Sequence, residues 1–105
     1  MMNMAMLKKV NGPEKIAVTE HARLRLFERG IKLLDIVRCI ETGEIVERYD
    51  DDKPFPSCLI LGEDTKEQLF HAVVSSDGEF IFLITAYYPD TSRWESGYKN
   101  RKETG

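Results

Sequence analysis

The chain has 105 residues, enough for one hydrophobic core and too few for two. A hydrophobic fraction of 42% beside 31% charged residues excludes a disordered or low-complexity chain. The net charge of −3 excludes nucleic-acid binding through bulk charge, so any such contact has to be local.

Residues 1–14 read as a flexible N-terminal tail. Met1 to Leu7 is apolar but far too short to span a bilayer, and Lys8-Lys9 follow it rather than precede it. No membrane association and a cytoplasmic location are therefore expected. Turn-forming residues cluster at Asn11-Gly12-Pro13-Glu14. Residues 15–105 read as a single domain.

Lys15 to Val18 is a short extended segment. Thr19 is a good N-cap for a helix over Glu20–Arg29, which Gly30 closes as a left-handed cap. A second helix runs from about Leu33 to Thr42. Its Leu33, Ile36, Val37 and Ile40 recur at helical spacing, and Gly43 ends it. Four strands follow, at Glu44–Tyr49, Ser57–Gly62, Gln68–Ser75 and Phe80–Tyr88. Ser76-Asp77-Gly78 reads as a hairpin turn between the last two. Phe80–Tyr88 is apolar on both faces, so it belongs inside the sheet, with Lys15–Val18 covering or pairing with its free edge. The expected fold is α+β: a short N-terminal strand, two helices, then a mostly antiparallel four-stranded sheet. Asp90 to Lys102 should lie against one end.

Charge is unevenly spread. Residues 1–40 carry eight Lys/Arg against four Asp/Glu, residues 41–80 three against eleven, and residues 81–105 four against three. The two ends could meet as a basic surface while the middle forms an acidic one. The same charges would also serve as plain solvated faces.

At about 100° per residue, His21, Arg25 and Arg29 fall on one side of the first helix, with Glu28 at the margin. Leu24, Leu26, Phe27 and Ala22 take most of the remainder. Stacked guanidinium groups beside a histidine suit an anion such as phosphate. The competing reading is a solvated face, or ion pairs with the acidic loop. His71 shares a strand face with Leu69 and Val73 and reads on its own as a core residue; it becomes a catalytic candidate as the only other histidine. From Tyr87 to Lys102, aromatic and basic residues interleave. Arg93, Trp94, Tyr98 and Arg101 could stack bases and hold phosphates of single-stranded RNA. Alternatively, Trp94 and Tyr98 pin the segment to the core.

Asp50-Asp51-Asp52 reads as a solvated turn rather than a metal site. Cys39 and Cys58 sit in apolar patterns without metal spacing and read as buried thiols. No cofactor or metal is expected.

The blocks Thr19-Glu20-His21-Ala22, Arg25 and Arg29-Gly30-Ile31, then Phe70 to Val74, then Ile84 to Asp90 with Trp94 and Tyr98, resemble domain-of-unknown-function family 4258. That family resembles the RelE-type and barnase-like ribonuclease toxins, whose fold places helices before an antiparallel sheet. The resemblance implies an endoribonuclease toxin of a bacterial toxin–antitoxin pair. Its partners would be single-stranded RNA or mRNA and a cognate antitoxin protein. Cleavage would be metal-independent, by 2′-OH attack leaving a 2′,3′-cyclic phosphate. His21 and His71 would exchange protons, Arg25, Arg29 and Arg101 would stabilise charge, Tyr87 would orient the 2′-OH or share the acid–base work, and Trp94 would stack a base. The alternative is a non-catalytic RNA- or protein-binding module, either a degenerate toxin or a regulator.

Overall fold

A computed structural model describes residues 2–102; Met1, in the expected tail, and residues 103–105, at the end of the expected domain, lie outside the described residues. The elements are α1 (Met4–Val10), a 3₁₀ turn (Pro13–Lys15), β1 (Ile16–Val18), α2 (Glu20–Glu28), α3 (Leu33–Thr42), β2 (Glu44–Tyr49), β3 (Ser57–Glu63), β4 (Leu69–Ser76) and β5 (Ile81–Tyr87). The chain is thus α+β, and its described residues form three α-helices and one five-stranded mixed sheet ordered β1-β5-β4-β3-β2.

The helix ends follow from local chemistry. Thr19 Oγ1 accepts the Ala22 N–H at 3.1 Å and caps α2. Gly30 turns the chain out of α2 at φ 69°, a conformation that glycine adopts without steric cost. Lys32 offers α3 no capping oxygen. Asp35 compensates, because its carboxylate accepts the Lys32 N–H at 2.8 Å.

The sheet has five strands rather than four because the short N-terminal strand, expected to cover or pair with the last strand, is hydrogen-bonded into it as β1. β1 pairs parallel to β5, with Ile16 opposite Ile81 and Val18 opposite Leu83. The other pairings are antiparallel. β5 is therefore interior, as its two apolar faces require, and β4 is central.

The helices cover one face of the sheet. Alternate residues Cys58, Ile60, Phe70, Ala72 and Val74 point into this core and meet Ile36, Cys39 and Ile40 of α3. At Gly62 an added methyl would collide with the Cys39 backbone, so glycine lets α3 approach β3 closely.

The tail expectation is corrected. Residues 4–10 form α1, whose Asn3 side chain accepts the Met6 N–H at 2.8 Å. Leu7 is fully buried in the main core. Arg48 Nη1 donates to the Met2 carbonyl at 2.6 Å, and Asn11 Nδ2 donates to the Val37 carbonyl at 2.9 Å. These long-range contacts fix a segment whose own sequence is too short to be a stable helix. Among the described residues, no helix is long and apolar enough to cross a membrane.

Leu7→Ala is expected to destabilise the protein by about 2–5 kcal/mol, as for a buried leucine in a packed core. Urea unfolding measures this. A change below about 0.5 kcal/mol, the value for a surface position, would return residues 4–10 to the status of a loose tail.

Candidate functional site

β1 ends opposite Leu83, so β5 runs on from Ile84 to Tyr87 with no strand on its outer edge among the described residues. A bulge lies here. Val73 pairs with Thr85 while Val74 pairs with Leu83, which leaves Ile84 as the extra residue. The end of α2 fills this edge. Arg29 Nη1 donates to the Ala86 carbonyl at 2.8 Å and to Thr85 Oγ1 at 3.2 Å. A guanidinium is thereby held beside Tyr87, with its Nε and Nη2 hydrogens unengaged among the described residues.

The sheet face away from the helices is covered by the C-terminal segment. The amides of Arg93 and Trp94 both donate to the Asp90 carbonyl, and Trp94 and Arg101 form an antiparallel bridge. Gly97 and Tyr98 turn the tip at φ 90° and 59°. Residues 93–102 thus form a small hairpin.

Side chains clamp this hairpin to the sheet. Trp94 lies tilted against the His71 ring, with centroids 4.4 Å apart. The Tyr87 ring meets His71 edge-on at 5.4 Å. His71 Nε2 donates to the Tyr98 carbonyl at 2.9 Å, which fixes the tautomer and leaves Nδ1 buried without a partner. On the outer side of Trp94, the Arg101 guanidinium stacks at 4.6 Å from the ring centroid. Arg101 Nε and Nη2 donate to the two oxygens of Glu47 at 2.8 and 3.1 Å, and the Tyr49 hydroxyl donates to Glu47 at 2.6 Å.

These contacts set the proton affinities. The bonds from Arg101 hold Glu47 below the usual carboxylate range. Burial, then the Glu47 carboxylate, pushes Tyr49 up to about 12. Burial raises Tyr87, so its phenol keeps its proton at neutral pH. Burial lowers His71 and keeps the ring neutral.

A cleft of about 430 Å³ opens beside the clamp, lined by Tyr87, Tyr88, Asp90, Arg93, Trp94 and Arg101. The fold therefore gathers four of the sequence candidates, Tyr87, Arg93, Trp94 and Arg101, with Arg29 at the adjoining strand edge. Two roles need correction. His71 is fully buried and its N–H is committed to a carbonyl, so it supports the cleft floor and cannot exchange protons with a substrate. Trp94 is 3% exposed, with the His71 ring and the Arg101 guanidinium against it, so it pins the hairpin and has no free face for a base.

His21 is exposed on the first turn of α2, about 12 Å along the helix axis from Arg29. Arg25 lies between them and is 3.7 Å from Glu28 in an exposed pair. Tyr98 lines a separate hollow with Leu69 and Lys102.

Sequence reasoning missed Glu47 and Tyr49. Two residues apart on a strand, they share one face, and that pairing was the available signal. The link from Glu47 to Arg101, 54 residues further along the chain, has no local signal.

The depressed His71 pKa carries a sign. Between its folded value and the ordinary 6.5 the unfolded chain binds the extra proton, so the stabilisation is complete above pH 6.5 and is lost as pH falls through the folded value. Glu47 acts in the same direction at lower pH, from its ordinary 4.5 downward. Urea midpoints followed by the fluorescence of Trp94, the single tryptophan, are expected to fall from pH 7 to pH 5. His71→Phe should flatten that fall. An identical pH slope in the variant would contradict the assignment.

Comparison with known proteins adds one match. The family model described as a domain of unknown function (DUF4258) matches residues 18–88, more than half of the chain. The match takes in His21, Arg25, Arg29, His71 and Tyr87 and stops before the hairpin that carries Arg93, Trp94 and Arg101. Searches of the curated proteins and of the solved structures gave no match. By the extent and position of the first match, the chain belongs to the DUF4258 family.

Proposed function

We propose that the protein is a metal-independent endoribonuclease of the RelE-like toxin type, acting at the Tyr87 cleft on single-stranded RNA. The observation that carries this reading is a cleft beside the protonated Tyr87 phenol that Arg93 and Arg101 line and that Arg29 adjoins at the strand edge.

In this reading the arginines hold one phosphodiester and stabilise the charge that builds as phosphorus becomes five-coordinate. The 2′-oxygen attacks phosphorus and the bond to the 5′-oxygen breaks. The leaving oxygen takes the Tyr87 proton, and the 2′-OH proton passes to solvent. Products are a 2′,3′-cyclic phosphate and a 5′-hydroxyl. Glu47 positions Arg101 without touching the substrate. His21 and Arg25, further along the same face of α2, contact neighbouring phosphates. A cognate antitoxin would silence the enzyme by covering these arginines.

A second reading has one specific observation behind it. Glu47 already neutralises Arg101, which favours a module that binds RNA or protein without cutting it.

Incubation of purified protein with single-stranded RNA in EDTA, followed by analysis of product ends, tests the proposal. Cyclic-phosphate ends are expected. Tyr87→Phe should slow cleavage by about 10²–10⁴-fold and Arg29→Ala by about 10²–10³-fold. Ends with a 3′-hydroxyl, or variants as fast as wild type, would overturn the chemistry. Retention of RNA without cleavage would favour the binding module.

A further inference from the structure

We propose that the groove between β1, α2 and α3 is a docking site for an acidic, amphipathic segment of a partner protein. This inference does not depend on the ribonuclease reading.

α2 carries more apolar surface than it buries. Ala22 and Leu26 face the core, whereas Leu24 and Phe27 are 60% and 72% exposed. A nine-residue helix that is apolar on a second side has a second surface to cover. Phe27 and Leu24 are three residues apart and therefore neighbours on the helix surface. Leu34, on the first turn of α3, is also 60% exposed. Large apolar side chains concentrated on two consecutive helices mark an interaction surface more often than scattered ones do.

The groove itself is concave. Its volume is about 310 Å³, and Ile16, Val18, Leu26, Phe27, Ile31 and Leu33 form its apolar wall. The outer edge of β1 borders it, a three-residue strand paired on its β5 side alone.

Charge selects the occupant. Among the described residues, the only ionisable side chains lining the groove are Arg23 and Lys32. Neither has an ion-pair partner among the described residues, whereas Arg25, Arg38, Lys99 and Arg101 each do. An apolar stripe flanked by carboxylates would fill the wall and satisfy both cations.

α2 then has two working sides. Arg23 and Phe27 lie about 120–160° around the helix from Arg29, measured at 100° per residue. A partner seated in the groove leaves the His21, Arg25 and Arg29 side uncovered.

The test is selection of a displayed library of random 12-residue peptides on the full chain. Selected peptides are expected to combine Leu, Ile or Phe with Asp or Glu. Their affinity should fall at least tenfold on Phe27→Ser, and by a similar factor on the double change Arg23→Glu and Lys32→Glu. These side chains are exposed, so unchanged melting temperatures verify that the variants fold. Selection of no peptide, selection without acidic enrichment, or equal binding by the variants would overturn the proposal. So would sedimentation showing a wild-type dimer that Phe27→Ser dissociates, since a second copy would then be the occupant.

Discussion

Among the described residues, one face of the sheet has no helix to cover it. Leu59, Val73 and His71 would meet water there if the chain stopped at β5. The hairpin of residues 93–102 takes that place, and a buried aromatic contact between Trp94 and His71 holds it. The His71 N–H to the Tyr98 carbonyl ties down the tip, and the Glu47 carboxylate ties down Arg101 at the other end. A neutral histidine suits this place because burial disfavours its charged form. The cleft at Tyr87 exists only because the hairpin is docked, since Arg93, Trp94 and Arg101 all come from it. Packing and proposed chemistry therefore share the same side chains.

That sharing explains where the sequence could and could not be read. Thr19, Gly30 and Gly43 mark helix ends through local backbone chemistry, which needs no tertiary context. The covering of the last strand by residues 15–18 followed from its apolar two-sidedness. The helix α1 was illegible because seven residues, five of them apolar and two lysines, carry too little period, and burial of Leu7 depends on α3 already being in place. The two β-bulges shift which side chains share a face, and alternation counted along the sequence cannot register them.

The candidate site was legible as a set of residues and not as a set of roles. The His21, Arg25 and Arg29 face follows from helical spacing alone. What Arg29 touches does not, because Ala86 is 57 residues away. His71 could be placed on a strand face, yet nothing local says that a tryptophan 23 positions later will bury it. The pairing of Glu47 with Arg101 spans 54 residues and removes much of a charge that the sequence counts as free. The fold brings arginines from α2 and the C-terminal hairpin to one cleft of an acidic chain, where Glu47 pairs with Arg101 and Asp90 joins the lining.

The most direct measurement is binding of a non-cleavable 2′-O-methyl oligonucleotide across a range of salt concentrations. If the Arg29, Arg93 and Arg101 cluster neutralises one phosphate charge and Arg25 a neighbouring one, the logarithm of affinity should fall against the logarithm of salt with slope about −1.4. Arg29→Ala should make that slope shallower by about 0.7. An affinity indifferent to salt, or a slope unchanged by Arg29→Ala, would contradict the account of this cleft as a phosphodiester site.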